Sequence, residues 1–541
     1  LEVDEMSMIA IRDLSFAYGG GLDAIFTHVD LQLDTDWRLG LIGRNGRGKT
    51  TLLRLLMGEL PHEGSIHANV GFTYFPFAVA DPQRDTLCVL RESIAPFDAM
   101  EREMEQCLAA LGEETTERYF ELLERYQFHD GYQIDGRIEA ELSQMGMSTE
   151  LLGRPFSTLS NGEQTRALLC ALFLRRDRFV LLDEPTNHLD ERGRELTAQY
   201  LGRKKGFIVV SHDRSFLDQV VDHILSIDKC GITLEQGNYS SWRENERRRE
   251  QQAHMQLERA RAERERLELA ARRAADWAGK TEQGKFAARN AGLRPDRGFV
   301  GHRAAKLMKR AKSIESRREE AAAQKAELIR QLESAEPIVL KPLPPEREKL
   351  VTAADLTIRY AQRSLFEKLR FSIGRGDRVA LTGPNGCGKS SVIKLVMGEP
   401  VPHEGTLWRQ PGLIVSYVPQ DTSFLRGSLR DFTTAQPVNE AVFRSILRKL
   451  GFSRAQFDEP MESYSAGQRK KVLLAASLAS QAHLYIWDEP LNYIDIVSRE
   501  QIEQLLLQYR PSMLFVEHDR AFVDNVATEI IRLGRQEGED R

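Results

Sequence analysis

The sequence predicts two α/β domains with mostly parallel sheets, in tandem on one chain and joined by a long antiparallel pair of helices. Three observations carry this. Four short blocks recur in the same order in the two halves of the 541 residues. In each half an apolar run leads into a glycine-rich loop and then a segment of helical spacing. Between the halves lies a charge-dense stretch of roughly a hundred residues.

The repeat is explicit. GLIGRNGRGKTTLLRLLMGELPHEGSI from Gly40 is answered by ALTGPNGCGKSSVIKLVMGEPVPHEGTL from Ala380. LSNGEQTRALLCALFL from Leu159 is answered by YSAGQRKKVLLAASLA from Tyr464, and FVLLDEPTNHLD from Phe179 by LYIWDEPLNYID from Leu484. The stretch SHDRSFLDQVVDHILSID from Ser211 returns as EHDRAFVDNVATEIIRL from Glu517. Four ordered blocks mark a duplicated domain. WRLGLI and DRVALT read as short strands entering each glycine loop, and the residues after Lys49 and Lys389 have helical spacing. FVLLD, LYIWD, FIVVS and MLFVE are apolar enough to be parallel strands buried on both faces. From Lys49 to Asp183 is 134 residues and from Lys389 to Asp488 is 99, so the first copy holds about 35 extra residues. They fall between 85 and 150, dense in Glu and Arg, and read as a helical, arm-like insertion.

Bulk properties narrow the class. At 61.6 kDa, with 41% hydrophobic residues, the chain can bury two sizeable cores. Its five cysteines (Cys88, Cys107, Cys170, Cys230, Cys387) show no CxxC pair, which predicts buried thiols in a reducing compartment. No stretch approaches the ~20 apolar residues that cross a bilayer. The N-terminus LEVDEMSMIA is acidic and lacks the apolar core of a secretory signal, and its initial Leu predicts that the chain starts inside a longer sequence or after a missing Met. A cytoplasmic location is expected.

GRNGRGKT (Gly43 to Thr50) and GPNGCGKS (Gly383 to Ser390) both fit G-x-x-x-x-G-K-[ST]. Such a loop lets backbone N–H groups wrap a phosphate at a helix N-terminus, whose positive end faces the anion. Gly43, Asn45, Gly46 and Gly48 supply the first loop; Gly383, Asn385, Gly386 and Gly388 supply the second. Lys49 and Lys389 reach β and γ phosphates, and Thr50, Ser390 and the following Thr51 and Ser391 complete the loops. Thr50 and Ser390 offer hydroxyls to Mg²⁺. In Asp183–Glu184 and Asp488–Glu489 the first carboxylate suits Mg²⁺ and the second orients or deprotonates water, so ATP and Mg²⁺ are the expected ligands. His212 and His518 end the next strand and read as contacts to γ-phosphate.

The chain resembles the ATP-binding cassette superfamily, a fold of P-loop NTPase domains. LSNGEQ and YSAGQR are similar to its signature segments. The resemblance implies two cassettes facing head to tail, with each ATP between one phosphate loop and the opposite signature. Site one then joins Gly43–Thr50, Asp183, Glu184 and His212 to Ser465, Gly467 and Gln468. Site two joins Gly383–Ser390, Asp488, Glu489 and His518 to Ser160, Gly162, Glu163 and Gln164. It also implies adenine stacking at Tyr18 and Tyr360, D-loop roles for Asp190 and Asp495, and a Q-loop metal contact at Gln420. The first copy has Phe77 at the Q-loop position, which predicts slower hydrolysis or a differently held metal at site one.

Residues 241–340 carry 24 Lys plus Arg against 16 Asp plus Glu, a net of +8, whereas the rest of the chain sums to −13. The bias peaks between Arg272 and Lys312, with twelve basic residues and three acidic ones. ENERRREQQAHMQLERARAERERLELAARRAADW and AAKLMKRAKSIESRREEAAAQKAELIRQLE read as two long helices. GKTEQGKFAARNAGLRPDRGFVG between them holds five glycines and one proline, which predicts a break in the helix. The result is a charged antiparallel hairpin with a basic tip, followed by the extended EPIVLKPLPPE linker. Arg272, Arg273, Lys280, Lys285, Arg289, Arg294, Arg297, Arg303, Lys306, Lys309, Arg310 and Lys312 are the expected RNA-binding residues. Trp277, Phe286 and Phe299 either stack on bases or pack the tip. No base-reading motif is present, which favours structured RNA recognised by shape.

Two fused cassettes around a charged hairpin resemble the F subfamily of the superfamily. RPFSTLSNGEQT, LYIWDEPLNYID, VEHD and DRGFVGHRAAKLMKRAK are most similar to its antibiotic-resistance branch. The domains expected are 6–240, with the insertion at 85–150, then the linker at 241–346 with its tip at 272–312, then 347–541. The resemblance implies a monomeric Mg-dependent ATPase bound to the 70S ribosome. Its partners would be 23S rRNA and P-site or exit-site tRNA, with no membrane domain. It would displace lincosamides, pleuromutilins or streptogramin A from near the peptidyl-transferase centre. A housekeeping translation factor and the ATPase of a separate permease are the alternative readings.

Overall fold

Apolar runs of four to six residues, buried on both faces, organise the chain. Phe207–Val210 and Met513–Val516 are wholly buried strands at the centres of two sheets. In the computed structural model, residues 8–18, 24–110, 112–187, 189–228, 231–287, 340–360, 363–384, 386–436 and 438–534 are described. The first sheet orders its strands Gly71–Phe75, Arg178–Asp183, Phe207–Val210, Arg38–Gly43, His223–Asp228 and Gly231–Gln236. All neighbours are parallel except the last pair. The second sheet repeats the order with Val415–Val418, Leu484–Asp488, Met513–Val516, Arg378–Thr382 and Glu529–Arg532, all parallel. The two tandem cassettes are therefore the expected α/β fold. The strand order also places each glycine loop and its Asp-Glu pair at the C-terminal ends of strands separated by one central strand, where open α/β sheets bind ligands.

Each cassette adds a three-stranded antiparallel sheet that the sequence reading missed. One pairs Met8–Phe16 with Phe26–Asp34 and Glu63–Ala68; the other pairs Lys349–Tyr360 with Arg363–Gly374 and His403–Arg409. The central sheet is thus covered on one side by this layer and on the other by helices. Trp487 is fully buried on the helical side, and its indole N–H donates to Ser477 Oγ at 3.0 Å. A Val, Leu, Ile or Phe side chain buried so completely contributes about 1.5–3 kcal/mol.

The residues between 85 and 150 form the helices Thr86–Ile94, Phe97–Ala110, Glu113–Phe128 and Ile134–Gln144. Arg91 is mostly buried at their junction and pairs with Asp98, Glu101 and Asp135, which explains the charge density of the insertion. Among the described cysteines, Cys170 is fully buried and Cys88, Cys107 and Cys387 are half-buried, because Cys387 belongs to a glycine loop and the other two to helix flanks; Cys230 lies outside the described residues.

Both cassettes belong to one compact unit, Leu1–Trp242 with Ile338–Arg541, and Arg243–Pro337 is a unit of its own. A helix of 49 residues, Tyr239–Ala287, starts at the end of the segment Leu1–Trp242 and supplies the beginning of the second unit. It passes through Gly279 and Gly284, the first part of the stretch in which a break is expected; residues 288–301 of that stretch lie outside the described residues. A glycine costs a helix only about 1 kcal/mol relative to alanine, and the surrounding Ala, Glu, Gln and Lys are strong helix formers. The exposed start of this helix carries i,i+4 and i,i+3 pairs, Arg248 with Glu244 and Arg249 with Glu246. The expected second helix of the hairpin lies outside the described residues.

Candidate functional site

The helices Lys49–Leu56 and Lys389–Met397 begin directly at the glycine loops, with no side-chain cap. A helix N-terminus of this kind directs N–H groups and the positive end of its dipole toward an anion. Gly48 (φ 94°) and Gly388 (φ 107°) start them in the left-handed region; a Cβ on Gly48 would stand 2.5 Å from Ile25 Cγ2. Lys49 Nζ donates to the Gly43 carbonyl at 2.8 Å and Lys389 Nζ to that of Gly383 at 2.8 Å. Both ammonium groups are thus held over the mouth of their loop. Burial pulls Lys49 below the usual lysine range, against the opposing charges of Asp495, Glu184 and Asp183. Tyr18 lies beside the first loop, its ring half exposed and its hydroxyl 3.2 Å from Thr51 Oγ1.

At the neighbouring strand ends, Thr50 Oγ1 donates to Asp183 Oδ2 at 2.8 Å, and Tyr74 OH donates to the same oxygen at 3.0 Å. Ser390 likewise donates to Asp488, whose carboxyl burial pushes up. A hydroxyl and a carboxylate converging on one point are hard oxygen donors that fit Mg²⁺ shared with phosphate oxygens. Glu184 (φ 53°) and Glu489 (φ 48°) both occupy the left-handed region. Two non-glycine residues strained at matched positions are an expected mark of a functional site.

The two glutamates differ. Glu489 Oε2 accepts from Gln420 Nε2 and Asn492 Nδ2, each at 2.8 Å, and Oε1 lies 3.3 Å from His518 Nε2. Burial opposes the charge, but the hydrogen bond and charge of His518, then Lys389 and Gln420, hold Glu489 below the usual carboxylate range. His212 Nε2 is 3.3 Å from Glu184 Oε1, yet that oxygen is sealed from solvent with no well-formed hydrogen bond. Burial, then the like charge of Asp183, pushes Glu184 up to about 8. Burial also draws His212 well below its usual value. Phe77, where the second copy has Gln420, packs against the helical core with Arg175 over its ring at 5.6 Å.

The cassettes meet head to tail. A cavity of about 960 Å³ is lined on one side by Gly386, Gly388, Lys389, Ser390, Ser391, Gln420, Glu489 and His518. On its other side stand Ser160, Gly162 and Glu163 of the first copy. Ser160 caps the helix Asn161–Leu174 in a box with Glu163, and Ser465 does the same with Gln468 for Ala466–Ala479. On the opposite side of the pseudo-dyad, Asn45 Nδ2 donates to the Tyr493 carbonyl at 2.8 Å and Asn45 N to Asp495 Oδ2 at 3.4 Å. Gly467 is packed into this contact, since a Cβ there would meet the Tyr493 carbonyl at 2.5 Å and Asn45 Nδ2 at 3.3 Å. An ion pair and a hydrogen bond close the seam: Arg214 pairs with Glu503 at 2.7 Å, and Arg194 Nη1 donates to the His518 carbonyl at 3.2 Å.

Most of the residues singled out in the sequence converge at these two places. Gln164 does not line the cavity; its amide donates to the carbonyls of Phe156 and Leu159 within its own cassette. Asp190 and Asp495 are helix caps, accepting from Gly193 N and Ser498 N. Asn385 and the side chain of Tyr360 lie outside the described residues. Of the basic tip, Arg273 is an exposed helix position; the side chains of Arg272, Lys280 and Lys285, and the other eight residues altogether, lie outside the described residues. Sequence reasoning missed Tyr74, Asn492 and the buried Lys471–Asp495 pair at 2.7 Å. Asn492 was findable, because DEPTN and DEPLN repeat it at a fixed offset from the glutamate.

The ABC transporter family profile matches residues 26–187 and 366–492, more than half of the chain. Over 97% of its length the chain is 29% identical to an uncharacterized ABC transporter ATP-binding protein, YfmM of Bacillus subtilis, 98% of which is covered. It is 28% identical to the ribosome protection protein VmlR of the same species, over 92% of this chain and 82% of that one. With the tylosin resistance ATP-binding protein TlrC of Streptomyces fradiae it shares 30% identity, over 92% of both chains. With its paired phosphate loops, signatures and head-to-tail sites, the chain belongs to the ABC transporter family, in the F subfamily that its tandem motifs and linker resemble.

Proposed function

We propose that the protein is a ribosome-binding ATPase whose two composite sites close on ATP. The observation that carries this is the cavity between the Lys389 loop and the Ser160 signature, because it places phosphate-binding and signature groups from different cassettes around one volume. ATP bound there would lay its phosphates on the loop N–H groups and Lys389, with Gly162 N–H and Ser160 across from them. Glu489, ionised and fixed by three donors, orients water for in-line attack on the γ-phosphorus and accepts its proton. The bond to the β,γ-bridging oxygen breaks, ADP leaves with that electron pair, and His518 steadies the carboxylate. Ser390, Asp488 and Gln420 would hold Mg²⁺, which would supply charge neutralisation when bound. Thr50, Asp183, Glu184 and His212 form the counterpart set.

The linker, with its twelve basic residues between Arg272 and Lys312, is the proposed RNA-facing element. Closure of the cassettes would commit it against rRNA and tRNA near the peptidyl-transferase centre, and displace lincosamide, pleuromutilin or streptogramin A. The names of VmlR and TlrC support this reading of the whole chain. Among the described residues no helix is long and apolar enough to cross a membrane, which accords with a role apart from a permease. The helical insertion Thr86–Gln144 favours a second reading, a translation factor whose insertion touches the exit-site region; Phe120 and Tyr132 stand exposed on it. The experiment is ribosome pelleting with ATP and a translation assay with each drug. Deleting 284–297 should spare basal ATPase and abolish drug protection. Reversing the charges of Lys306, Lys309, Arg310 and Lys312 should weaken ribosome binding and flatten its salt dependence. Ribosome binding without protection against any of the three drugs favours the translation factor. No ribosome binding defeats both.

A further inference from the structure

Resting on the ATPase reading of the second site, we propose that Lys470 is a positioning residue there, tying the turn that carries Gln420 to the strand end that carries Glu489. Lys470 stands on the signature helix Ala466–Ala479, is only 3% exposed, and lines the cavity. Its Nζ donates to the Pro419 carbonyl at 2.8 Å and to the Asp488 carbonyl at 3.4 Å. Pro419 immediately precedes Gln420, and Asp488 immediately precedes Glu489. The two side chains that follow these carbonyls are themselves joined, Gln420 Nε2 to Glu489 Oε2 at 2.8 Å. One ammonium group therefore closes a ring: helix, turn, glutamine, glutamate, strand end. A lysine offers three donors in rotatable directions, so it can hold two carbonyls from separate elements where a hydroxyl can donate to one.

The duplication supplies an internal comparison. At the matched positions the second copy carries Gln420, Asp421, Lys470 and Glu517, and the first carries Phe77, Ala78, Thr165 and Ser211. Four polar or charged groups are replaced together by an uncharged set. Glu517 is buried, accepts from the Leu491 and His518 N–H groups at 2.7 and 3.2 Å, and is the strongest of the negative charges acting on Lys470. His518 is the same residue that stands against Glu489. In the first copy Ser211 hydrogen-bonds, among the described residues, to the Thr186 hydroxyl and the Asp213 N–H. The carbonyl tether and the orientation of the glutamate thus occur together in one copy and are both missing from the other. A lysine present only to balance Glu517 would have no reason to reach both carbonyls.

The test is made in the full chain carrying Glu184→Gln, so that turnover reports the second site. Lys470→Thr installs the residue of the first copy. Lys470→Thr with Glu517→Ser installs both and leaves no uncompensated buried carboxylate. The expected result is a fall in kcat of about tenfold or more in both variants, in the range that a misplaced general base produces. KM and the affinity for a fluorescent non-hydrolysable ATP analogue should stay within about twofold of the parent, since the phosphate loop is untouched. The double exchange should recover the melting temperature lost by the single one without recovering kcat. Recovery of kcat by the double exchange would overturn the proposal and leave Lys470 a counter-charge to Glu517. Unchanged kcat in Lys470→Thr, or loss of analogue affinity in step with kcat, would overturn it as well. A parent protein with no ATP turnover would instead defeat the ATPase reading itself.

Discussion

Exchanging the two glutamates one at a time separates the two sites. Glu489 lies below the ordinary carboxylate range and is ionised throughout neutral pH, whereas Glu184 is pushed up to about 8. At pH 7.5 a group at that value is about a quarter ionised. If the two sites were otherwise equal, the second would then carry about four fifths of the turnover. A cation resting on Asp183 cancels that residue's contribution and leaves burial, so the fourfold ratio is a ceiling from ionisation alone. Phe77 adds to it, since no amide orients Glu184 as Gln420 orients Glu489. Glu489→Gln should therefore leave less than half the steady-state phosphate release that Glu184→Gln leaves. The sign with pH follows from the raised value. In Glu489→Gln the remaining rate should climb by up to about fourfold between pH 7.5 and 9, as the Glu184 carboxyl ionises. Ionisation of Glu489 contributes no slope in that window. Equal residual rates at pH 7.5, or a flat profile for Glu489→Gln, would refute the asymmetry.

Two further outcomes follow from the same geometry. With both Glu184→Gln and Glu489→Gln, phosphate release should drop by about tenfold or more while ATP still raises the melting temperature; a rate within twofold of the parent removes both residues from the chemistry. Lys471→Ala leaves Asp495 fully buried without its ammonium partner and should cost about 3–5 kcal/mol in urea denaturation. Burial alone would raise the Asp495 carboxyl, but Lys471 and the Ser498 N–H hold it well below its usual value. The stabilisation is therefore complete above about pH 4 and fades as pH falls below it; a cost under about 1 kcal/mol at pH 7 would show that the pair adds little.

What the sequence disclosed was what repeats. The glycine loops, the DEP strand ends and the signatures each have fixed internal spacing, and each type of residue there follows from phosphate or metal chemistry. Head-to-tail assembly was legible only through resemblance, because nothing in a linear pattern says that Asn45 will meet Tyr493, 448 positions away. The antiparallel sheets escaped notice since Met8–Phe16 and Lys349–Tyr360 alternate imperfectly, with register shifts along both. Of the stretch 279–301, where a break is expected, Gly279 and Gly284 stay helical because strong helix formers surround them. Tyr74 and Lys470 were invisible for a different reason. Their roles depend on which backbone or carboxyl oxygen stands opposite, and Tyr417 occupies the position matched to Tyr74 without marking it as special.

One helix gathers the features that would transmit nucleotide state. Ile496–Tyr509 begins at Asp495, which reaches the first phosphate loop through Asn45 N. Its next turn carries Arg499, paired with Asp519 at 3.1 Å, and then Glu503, paired across the seam with Arg214. Between them stands Glu500, whose Oε1 accepts from Tyr239 OH at 2.9 Å. Tyr239 is the first residue of the long helix that leads into the linker. The phosphate loop of one cassette, the D-loop helix of the other and the root of the linker are thus joined by consecutive contacts within about two helical turns. Three of these contacts, Asn45 N to Asp495, Arg214 to Glu503 and Tyr239 to Glu500, cross between cassettes, so opening the seam would break the anchoring of Tyr239 together with the other two. Tyr239→Phe keeps the ring against Trp242, at 5.7 Å between centroids, and deletes only the donor. A hydrogen bond to a charged acceptor contributes about 1.5–3 kcal/mol. In the Glu184→Gln, Glu489→Gln background, where ATP holds the seam shut, the variant should lower the ATP-induced gain in denaturation midpoint. The same exchange should have a smaller effect without nucleotide. An equal loss of stability with and without ATP would mean that Tyr239 is fastened to Glu500 regardless of closure, and the helix Ile496–Tyr509 would then be a scaffold rather than a transmitter.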